Sequence, residues 1–122
     1  MRNHFREFIG FLAISLALLG FVSAFAADAT TPPGQKIFEG KCAQCHGKDA
    51  KGVAKMAKVL KVDPINVNLT RPEAVTLTSE DIQTTVTNGK NKMPKYKGKL
   101  TADQIQQVAE YLKSVQEASQ SK

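Results

Sequence analysis

Two cysteines and a histidine stand together in the segment Cys42-Ala43-Gln44-Cys45-His46. The cysteines are three positions apart, so one helical turn brings both sulfur atoms to the same side of the chain. A C-x-x-C-H segment is the attachment signature of a c-type haem, in which the thiols form thioethers and the imidazole binds the iron. We therefore expect one covalent haem c on Cys42 and Cys45, with His46 as an axial ligand of its iron.

Two other kinds of site use a C-x-x-C pair. A thioredoxin-like dithiol lies in a βαβ unit, but no β-branched run that would indicate a strand precedes Cys42. A structural zinc ion needs four ligands. The only Cys or His residues after the N-terminal segment are Cys42, Cys45 and His46, so zinc would also need a carboxylate. These patterns favour haem, with thiol–disulfide exchange as the alternative.

Residues 1–26 have the pattern of a secretory signal peptide. A short segment with two arginines precedes an uncharged stretch over 8–27, and Ala24-Phe25-Ala26 is a small-residue cleavage site. We expect cleavage after Ala26, which leaves one domain over 27–122 in the periplasm. The alternative is an uncleaved membrane anchor, because an uncharged stretch of this length can just span a bilayer.

The net charge limits the kinds of partner. The full chain has 17 basic and 11 acidic residues, and removal of Arg2, Arg6 and Glu7 with the leader leaves 15 and 10, a net charge of +5. This bias favours an acidic protein surface, an anionic membrane or a nucleic acid. Export argues against nucleic acid, and no arginine-rich or aromatic-interleaved segment supports it.

Apolar periodicity and capping signals predict an all-α domain with three main helices and one short helix. Helices are predicted over 34–41, about 53–61, 78 or 79 to 88, and 101 to about 116, with 117–122 fraying. Residues 66–71 are predicted as a loop and Pro72-Glu73 as a turn. A domain of this size has a thin core. We therefore expect the haem-free chain to be largely unfolded.

A second axial ligand must come from elsewhere in the chain. His4 lies in the leader, which excludes bis-histidine ligation for the mature monomer. Met56 falls in a predicted amphipathic helix, where methionine usually packs. Met93 precedes Pro94 in a loop between two helices, 47 residues after His46. We expect Met93 to be the second ligand of the iron.

The mature chain resembles a small monohaem class I cytochrome c over essentially its whole length. The resemblance rests on Cys42-x-x-Cys45-His46-Gly47, Asn88-Gly89, Met93-Pro94 and the closing helix segment 108–113. It implies a cytochrome c fold whose helices and loops wrap around one covalently bound haem. The first and last helices would cross, with Gly34 and Phe38 meeting Val108 and Tyr111. It also implies that His46 is the proximal ligand and Met93 the distal ligand.

One segment departs from the pattern of that family. Many members have a proline-rich segment after the haem signature, and a backbone carbonyl there accepts a hydrogen bond from the proximal imidazole. In this chain the segment is rich in lysine, and Pro64 is its first proline. The resemblance therefore leaves the acceptor for His46 open, with Pro64 as one candidate.

Histidine–methionine ligation predicts electron transfer rather than catalysis, because it favours ferrous iron and fills both axial positions. Five lysines flank Met93 and predict a basic collar for acidic redox partners, the alternative being a solvated loop: Lys90, Lys92, Lys95, Lys97 and Lys99. Tyr96 is expected either to reach a haem propionate or to pack.

We expect a monomeric periplasmic one-electron carrier that is not an enzyme. It would shuttle between respiratory or dehydrogenase partners, such as an oxidase, a quinol–cytochrome c oxidoreductase or a dehydrogenase. It would contact a membrane only if the leader is retained. Two alternatives stay open: an electron-transfer subunit of a larger oxidoreductase complex, and a haem enzyme or sensor in which Met93 is displaced.

Overall fold

The computed structural model describes residues 30–121, which form helices and connecting loops. The α-helices are α1 (Pro33–Lys41), α2 (Ala43–His46), α3 (Ala54–Leu60), α4 (Pro72–Val75), α5 (Ser79–Asn88) and α6 (Ala102–Gln120), and a 3₁₀ helix spans Pro64–Val67. This part of the chain contains no strand, only isolated bridges between Lys90 and Met93 and between Lys97 and Leu100. The predicted all-α class is confirmed. The predicted signal peptide over 1–26 lies outside the described residues.

Helices α1 and α6 cross at a glycine and form the centre of the fold. A Cβ atom on Gly34 would overlap the backbone carbonyl of Gln107 and lie 3.0 Å from the Tyr111 Cβ atom. Phe38, one turn later, is 1% exposed, and its ring centroid lies 5.6 Å from that of Tyr111. Val108 is buried in the same core. The predicted crossing is therefore present, and it requires a residue without a side chain at position 34.

Capping boxes begin the two long C-terminal helices. The Thr78 hydroxyl accepts from the Asp81 N–H at 3.1 Å, and the Asp81 carboxylate accepts from the Thr78 N–H at 2.9 Å. Thr101 and Gln104 form the same pair at the start of α6, as predicted. These reciprocal bonds satisfy backbone donors that a helix N-terminus otherwise leaves unpaired.

Helix α6 continues to Gln120, so the predicted end at about Gln116 was wrong. That prediction followed the apolar stripe, which stops at Val115. Gln116 is nevertheless buried, with 1% exposure, and its amide donates to the Leu69 carbonyl in the loop before α4 and to the Ala74 carbonyl in α4. A buried polar anchor thus carries the helix past the end of its apolar pattern.

The segment between α3 and α5 has more helix than predicted. Helix α3 ends at Leu60, and the next residue, Lys61, has a left-handed φ of 55°. The 3₁₀ helix Pro64–Val67 overlaps the predicted loop, and α4 replaces the predicted turn at Pro72-Glu73. Both short helices begin with proline, whose fixed φ favours the first helical position. None of the helices over 30–121 is long and apolar enough to cross a bilayer.

Candidate haem-binding site

The C-x-x-C-H segment lies at the junction of α1 and α2. Cys42 separates the two helices, and its carbonyl accepts from the N–H groups of Cys45 at 3.1 Å and His46 at 3.0 Å. Gly47 ends the turn with a φ of 74°. Cys42 is 9% exposed, Cys45 is half-buried, and both are free thiols. The turn therefore presents two thiols and an imidazole from one short segment beside the core.

The environment of these residues argues against the two alternative chemistries. Burial raises the pKa of the Cys42 thiol to about 11, so it stays protonated at neutral pH. A dithiol oxidoreductase needs a reactive thiolate, which a lowered thiol pKa supplies. Within residues 30–121, no group of three or more Cys, His, Asp or Glu side chains is placed to hold a metal ion. The geometry therefore gives no support to a zinc site made by these side chains.

The His46 imidazole is oriented by one backbone carbonyl. Its Nδ1 atom lies 2.8 Å from the Val67 carbonyl oxygen. A carbonyl can only accept, so Nδ1 carries the proton and Nε2 keeps the lone pair that a metal ligand needs. Burial lowers the pKa of His46, the charge of Arg71 adds to this effect, and the bond to Val67 opposes it. The lowered pKa favours the neutral imidazole, which is the form that binds iron.

Val67, and not the candidate Pro64, supplies the acceptor for His46. Pro64 is the first residue of the 3₁₀ helix and Val67 is the last. The observed acceptor therefore lies three residues further along the chain than the candidate. Any residue type has a backbone carbonyl, and no side-chain signal could have identified Val67. Pro64 gives the one indirect signal, because a proline favours the start of a short helix.

The loop that carries Val67 packs against the residues that follow the haem signature. The Gly52 N–H donates to the His46 carbonyl at 2.7 Å, and the Leu69 N–H donates to the Ala50 carbonyl at 2.7 Å. Gly52 has a φ of 90°, and a Cβ atom there would lie 2.9 Å from a methyl carbon of Val67. Close backbone packing thus holds the Val67 carbonyl beside the imidazole.

Met93 lies in a tight turn between α5 and α6. The Lys90 N–H donates to the Met93 carbonyl at 3.2 Å, and the Met93 N–H donates to the Lys90 carbonyl at 2.9 Å. Asn91, inside the turn, has a left-handed φ of 54°. The Met93 side chain is half-buried and packs against the core cluster that includes Cys42.

Met56 occupies a different environment from Met93. It is half-buried on α3 and is not among the residues that pack against the cluster around Cys42. Of the two methionines in the described part of the chain, only Met93 thus combines a loop position with packing against the core beside the haem signature. The geometry favours Met93 as the second ligand.

Comparison with known proteins gives one family. The family model described as cytochrome C oxidase, cbb3-type, subunit III matches residues 29–112. The chain is 38% identical to cytochrome c6 of Thermosynechococcus vestitus over 108 residues, which cover 88% of this chain and 89% of that protein. It is 37% identical to cytochrome c6 of Gloeothece citriformis over 110 residues, covering 88% and 92% of the two chains. The chain belongs to the cytochrome c family. It is a small monohaem class I cytochrome with one covalent haem c and its iron as cofactor, as predicted.

Tyr96 links the Met93 turn of the cytochrome to the end of α1. Its hydroxyl donates to the Lys41 carbonyl at 2.9 Å, and its N–H donates to the Val86 carbonyl at 3.0 Å. Burial is the main reason why the pKa of its phenol is raised. Of the two expected roles, the packing role is the one that these contacts describe.

The surface of the cytochrome is basic around Met93. All five lysines of the predicted collar are exposed, and no acidic residue lies between 90 and 100. The Lys99 ammonium lies 6.0 Å from the centre of the Tyr96 ring, at the outer limit of a cation–π contact. A second basic region spans 48–71, with six basic and two acidic residues. The basic charge is therefore concentrated on the segments next to the haem signature and the Met93 turn.

Proposed function

We propose that the cytochrome is an exported one-electron carrier that holds its haem c through Cys42 and Cys45, with His46 and Met93 as axial ligands. The observation that carries this proposal is the His46 imidazole, which donates from Nδ1 to the Val67 carbonyl at 2.8 Å and keeps Nε2 unprotonated. When bound, the haem supplies an iron centre that changes between ferric and ferrous states. The chain orients the imidazole, holds the Met93 thioether in a packed turn and buries the Cys42 attachment point.

Electron transfer is favoured over an enzymatic role. Two axial ligands from the chain leave no position on the iron for a substrate. His46 is the one histidine in the described residues, and it already serves as the proposed proximal ligand. Arg71, the one arginine there, donates to the Ile65 and Asn68 carbonyls, on either side of Val67. Neither residue is therefore available for peroxide chemistry on the Met93 side.

The basic collar around Met93 is the proposed docking surface for acidic redox proteins. Five exposed lysines with no acidic neighbour between 90 and 100 give the turn a single sign of charge. Such a surface accelerates encounter with an acidic partner and loses its effect as salt screens it. An oxidase, a quinol–cytochrome c oxidoreductase or a dehydrogenase in the periplasm would meet this requirement.

A free carrier is favoured over a subunit of a larger complex. The family model is named after an oxidase subunit, which is the observation behind the second candidate. The relatives named cytochrome c6 are matched over 89% and 92% of their own length, so these proteins are of similar size to this chain. Export by residues 1–26 would place a carrier of this size in the periplasm, where it would act as a monomer.

Spectra of two methionine variants test the ligand assignment. The haem-loaded wild type should be low-spin and should show the weak ferric absorption band of an iron–methionine bond. Met93→Ala should lose that band, and its reduction potential should fall by tenths of a volt, within the roughly 0.8 V range that axial ligands span. Met56→Ala is the matched control and should keep both. A band that survives in Met93→Ala would show that the assignment is wrong.

Charge reversal in matched pairs tests the docking surface. In Lys92→Glu/Lys95→Glu the rate of electron transfer to an acidic redox protein at low salt should fall on the order of tenfold or more. Lys55→Glu/Lys58→Glu makes the same change of net charge on α3 and should have a smaller effect. Equal rates in the two double variants would mean that the collar has no docking role of its own.

A further inference from the structure

Among the residues that the structure describes, the one buried polar or charged residue is Gln116, which is 1% exposed. Its Nε2 group donates to the Leu69 carbonyl at 2.8 Å and to the Ala74 carbonyl at 3.1 Å, across 47 and 42 residues of sequence. Its Oε1 atom is buried without a hydrogen-bond partner. The amide therefore ties α6 to the loop before α4 and to α4 itself, and it leaves its own oxygen unsatisfied.

An unsatisfied buried acceptor lowers stability, because it has lost its bonds to water and gained none. Methionine has a similar length and would remove the unsatisfied acceptor, but it would also take the amide donor away from the Leu69 and Ala74 carbonyls. What glutamine adds is the placement of two backbone carbonyls.

The loop that Gln116 holds is the loop that orients His46. Leu69 is two residues after Val67, whose carbonyl accepts from the His46 Nδ1–H at 2.8 Å. The other side of this loop rests on the residues after the haem signature, through the bond from the Leu69 N–H to the Ala50 carbonyl at 2.7 Å. Segment 67–69 is thus held between the haem-signature turn and α6.

We propose that Gln116 is a positioning residue for His46. Its two hydrogen bonds fix the loop at Leu69 and helix α4 at Ala74, and so keep the Val67 carbonyl within bonding distance of the imidazole. A hydrogen bond at Nδ1 raises the basicity of a metal-bound imidazole. Gln116 thereby acts on the properties of the iron without touching the haem ligand. The inference rests on the proposed role of His46 as the proximal ligand.

Lys113 provides a matched control on the same helix. It lies one turn before Gln116, and its ammonium donates to the Val75 carbonyl at 3.0 Å and the Leu77 carbonyl at 3.1 Å. It therefore also ties α6 to an earlier segment through two backbone carbonyls. These carbonyls lie at the end of α4, away from segment 67–69.

The test compares Gln116→Met with Lys113→Met in the haem-loaded protein. Each substitution removes two side-chain hydrogen bonds from α6. In Gln116→Met the Nδ1 proton of His46 should exchange with solvent roughly tenfold faster, the factor that one weakened hydrogen bond gives. The reduction potential should rise, because a less basic imidazole stabilises ferric iron less. Lys113→Met should leave both quantities at their wild-type values.

Nuclear magnetic resonance of the ferrous protein measures the exchange, and potentiometry measures the potential. An unchanged exchange rate and potential in Gln116→Met, or equal shifts in the two variants, would overturn the proposal. If Gln116→Met does not fold, Gln116→Asn replaces it. The asparagine amide is one methylene shorter and reaches at most one carbonyl, so smaller shifts in the same directions are expected. An exchange rate and potential equal to those of the wild type would overturn the proposal. Failure of the proposed function is distinguishable from these outcomes, because the His46 resonances of the wild type itself would then lack the ring-current shift of a haem ligand.

Discussion

The two proposed iron ligands are held in different ways. The proximal segment around His46 is fixed by residues distant in sequence: His46 bonds to Val67, 21 residues on, and Gln116 bonds to Leu69, 47 residues back. Met93 lies in a turn closed by bonds with Lys90, three residues away. A distant side-chain bond also reaches this turn, from Tyr96 to the Lys41 carbonyl.

Because of this difference, we expect the His46 segment to open only with much of the fold and the Met93 turn to open locally. A contact between distant segments breaks only when a large part of the fold opens, whereas a local turn can open while the rest stays folded. We therefore expect the bond from Met93 to break before the bond from His46. The exposed lysines lie on this same turn, so the docking surface and the more labile ligand share one segment.

Removal of the haem should have the largest effect, because a bound haem would supply apolar surface that this small core lacks. Among the described residues, Phe38 is the only aromatic side chain in the buried core, and the other members are small or aliphatic. A domain with so small a core falls short of independent stability. The Cys42→Ser/Cys45→Ser chain made without haem should show little helix by far-UV circular dichroism and no cooperative thermal transition. A cooperative transition with the helix content of the haem-loaded protein would contradict this prediction.

Substitution of Gly34 should have the next largest effect, because the α1–α6 crossing supports both segments. A Cβ atom at position 34 would overlap the Gln107 carbonyl, so Gly34→Ala should lower the free energy of unfolding by about 3 kcal/mol. Gly40 lies on the same helix, and a Cβ atom there would meet nothing within 4 Å. Gly40→Ala should therefore raise stability by about 0.5–1 kcal/mol. Denaturant unfolding measures the free energy of unfolding of both variants. A change of the same sign in the two variants would contradict the role of the crossing.

A second pair of glycines tests the comparison of the two segments directly. Gly52 and Gly89 have φ values of 90° and 74°, and a Cβ atom would lie 2.9 Å from the Val67 side chain in one case and 2.7 Å from the Met93 carbonyl in the other. Gly52→Ala should lower the free energy of unfolding by about 2 kcal/mol, from backbone strain and crowding, and keep the iron–methionine band. Gly89→Ala should cost less, about 1 kcal/mol, because the turn can shift.

Gly52→Ala should lose more stability than Gly89→Ala, whereas Gly89→Ala should show the larger change in its spectrum. Gly89→Ala should weaken the iron–methionine band, since a shifted turn moves Met93. Denaturant unfolding and ferric absorption spectra give the two quantities on the same samples. If Gly52→Ala loses the band and Gly89→Ala keeps it, the Met93 turn is not the more labile of the two segments.

The sequence was informative where structure depends on neighbouring residues. The C-x-x-C-H turn, the Thr101–Gln104 capping box and the Met93-Pro94 loop each lie within a few residues, so residue types and spacing predicted them. The α1–α6 crossing came from the resemblance to a family, because no local pattern specifies which helices meet. Assignment of the iron ligands remains a prediction that the proposed spectra will test.

The features that sequence reasoning missed depend on distant contacts. Val67 contributes only a backbone carbonyl to His46, and a carbonyl has no residue type. Gln116 follows the last apolar position of α6 and looks like a solvent-facing residue, yet it is buried and bonds to the loop before α4 and to α4 itself. Both depend on how the chain between α3 and α5 folds back, which no periodicity encodes.

Loss of the Tyr96 hydroxyl should have the smallest effect, and this effect should be confined to the Met93 turn. Tyr96→Phe removes one hydrogen bond to the Lys41 carbonyl and should lower the free energy of unfolding by about 1 kcal/mol. Amide hydrogen exchange at Met93 should become faster, while exchange at Leu69 should stay unchanged. Faster exchange at both would mean that the two segments open together.

The contribution of Tyr96 should also depend on pH. The pKa of its phenol is raised above the ordinary value of 10.0, mainly by burial. The folded state thus favours the protonated phenol, which is also the form that donates to Lys41. The stability difference between wild type and Tyr96→Phe should therefore be full below pH 10 and should shrink as the pH rises through the raised pKa. Urea unfolding of both proteins across this range measures it, and a difference that grows with pH would show that the hydroxyl does not act as the donor.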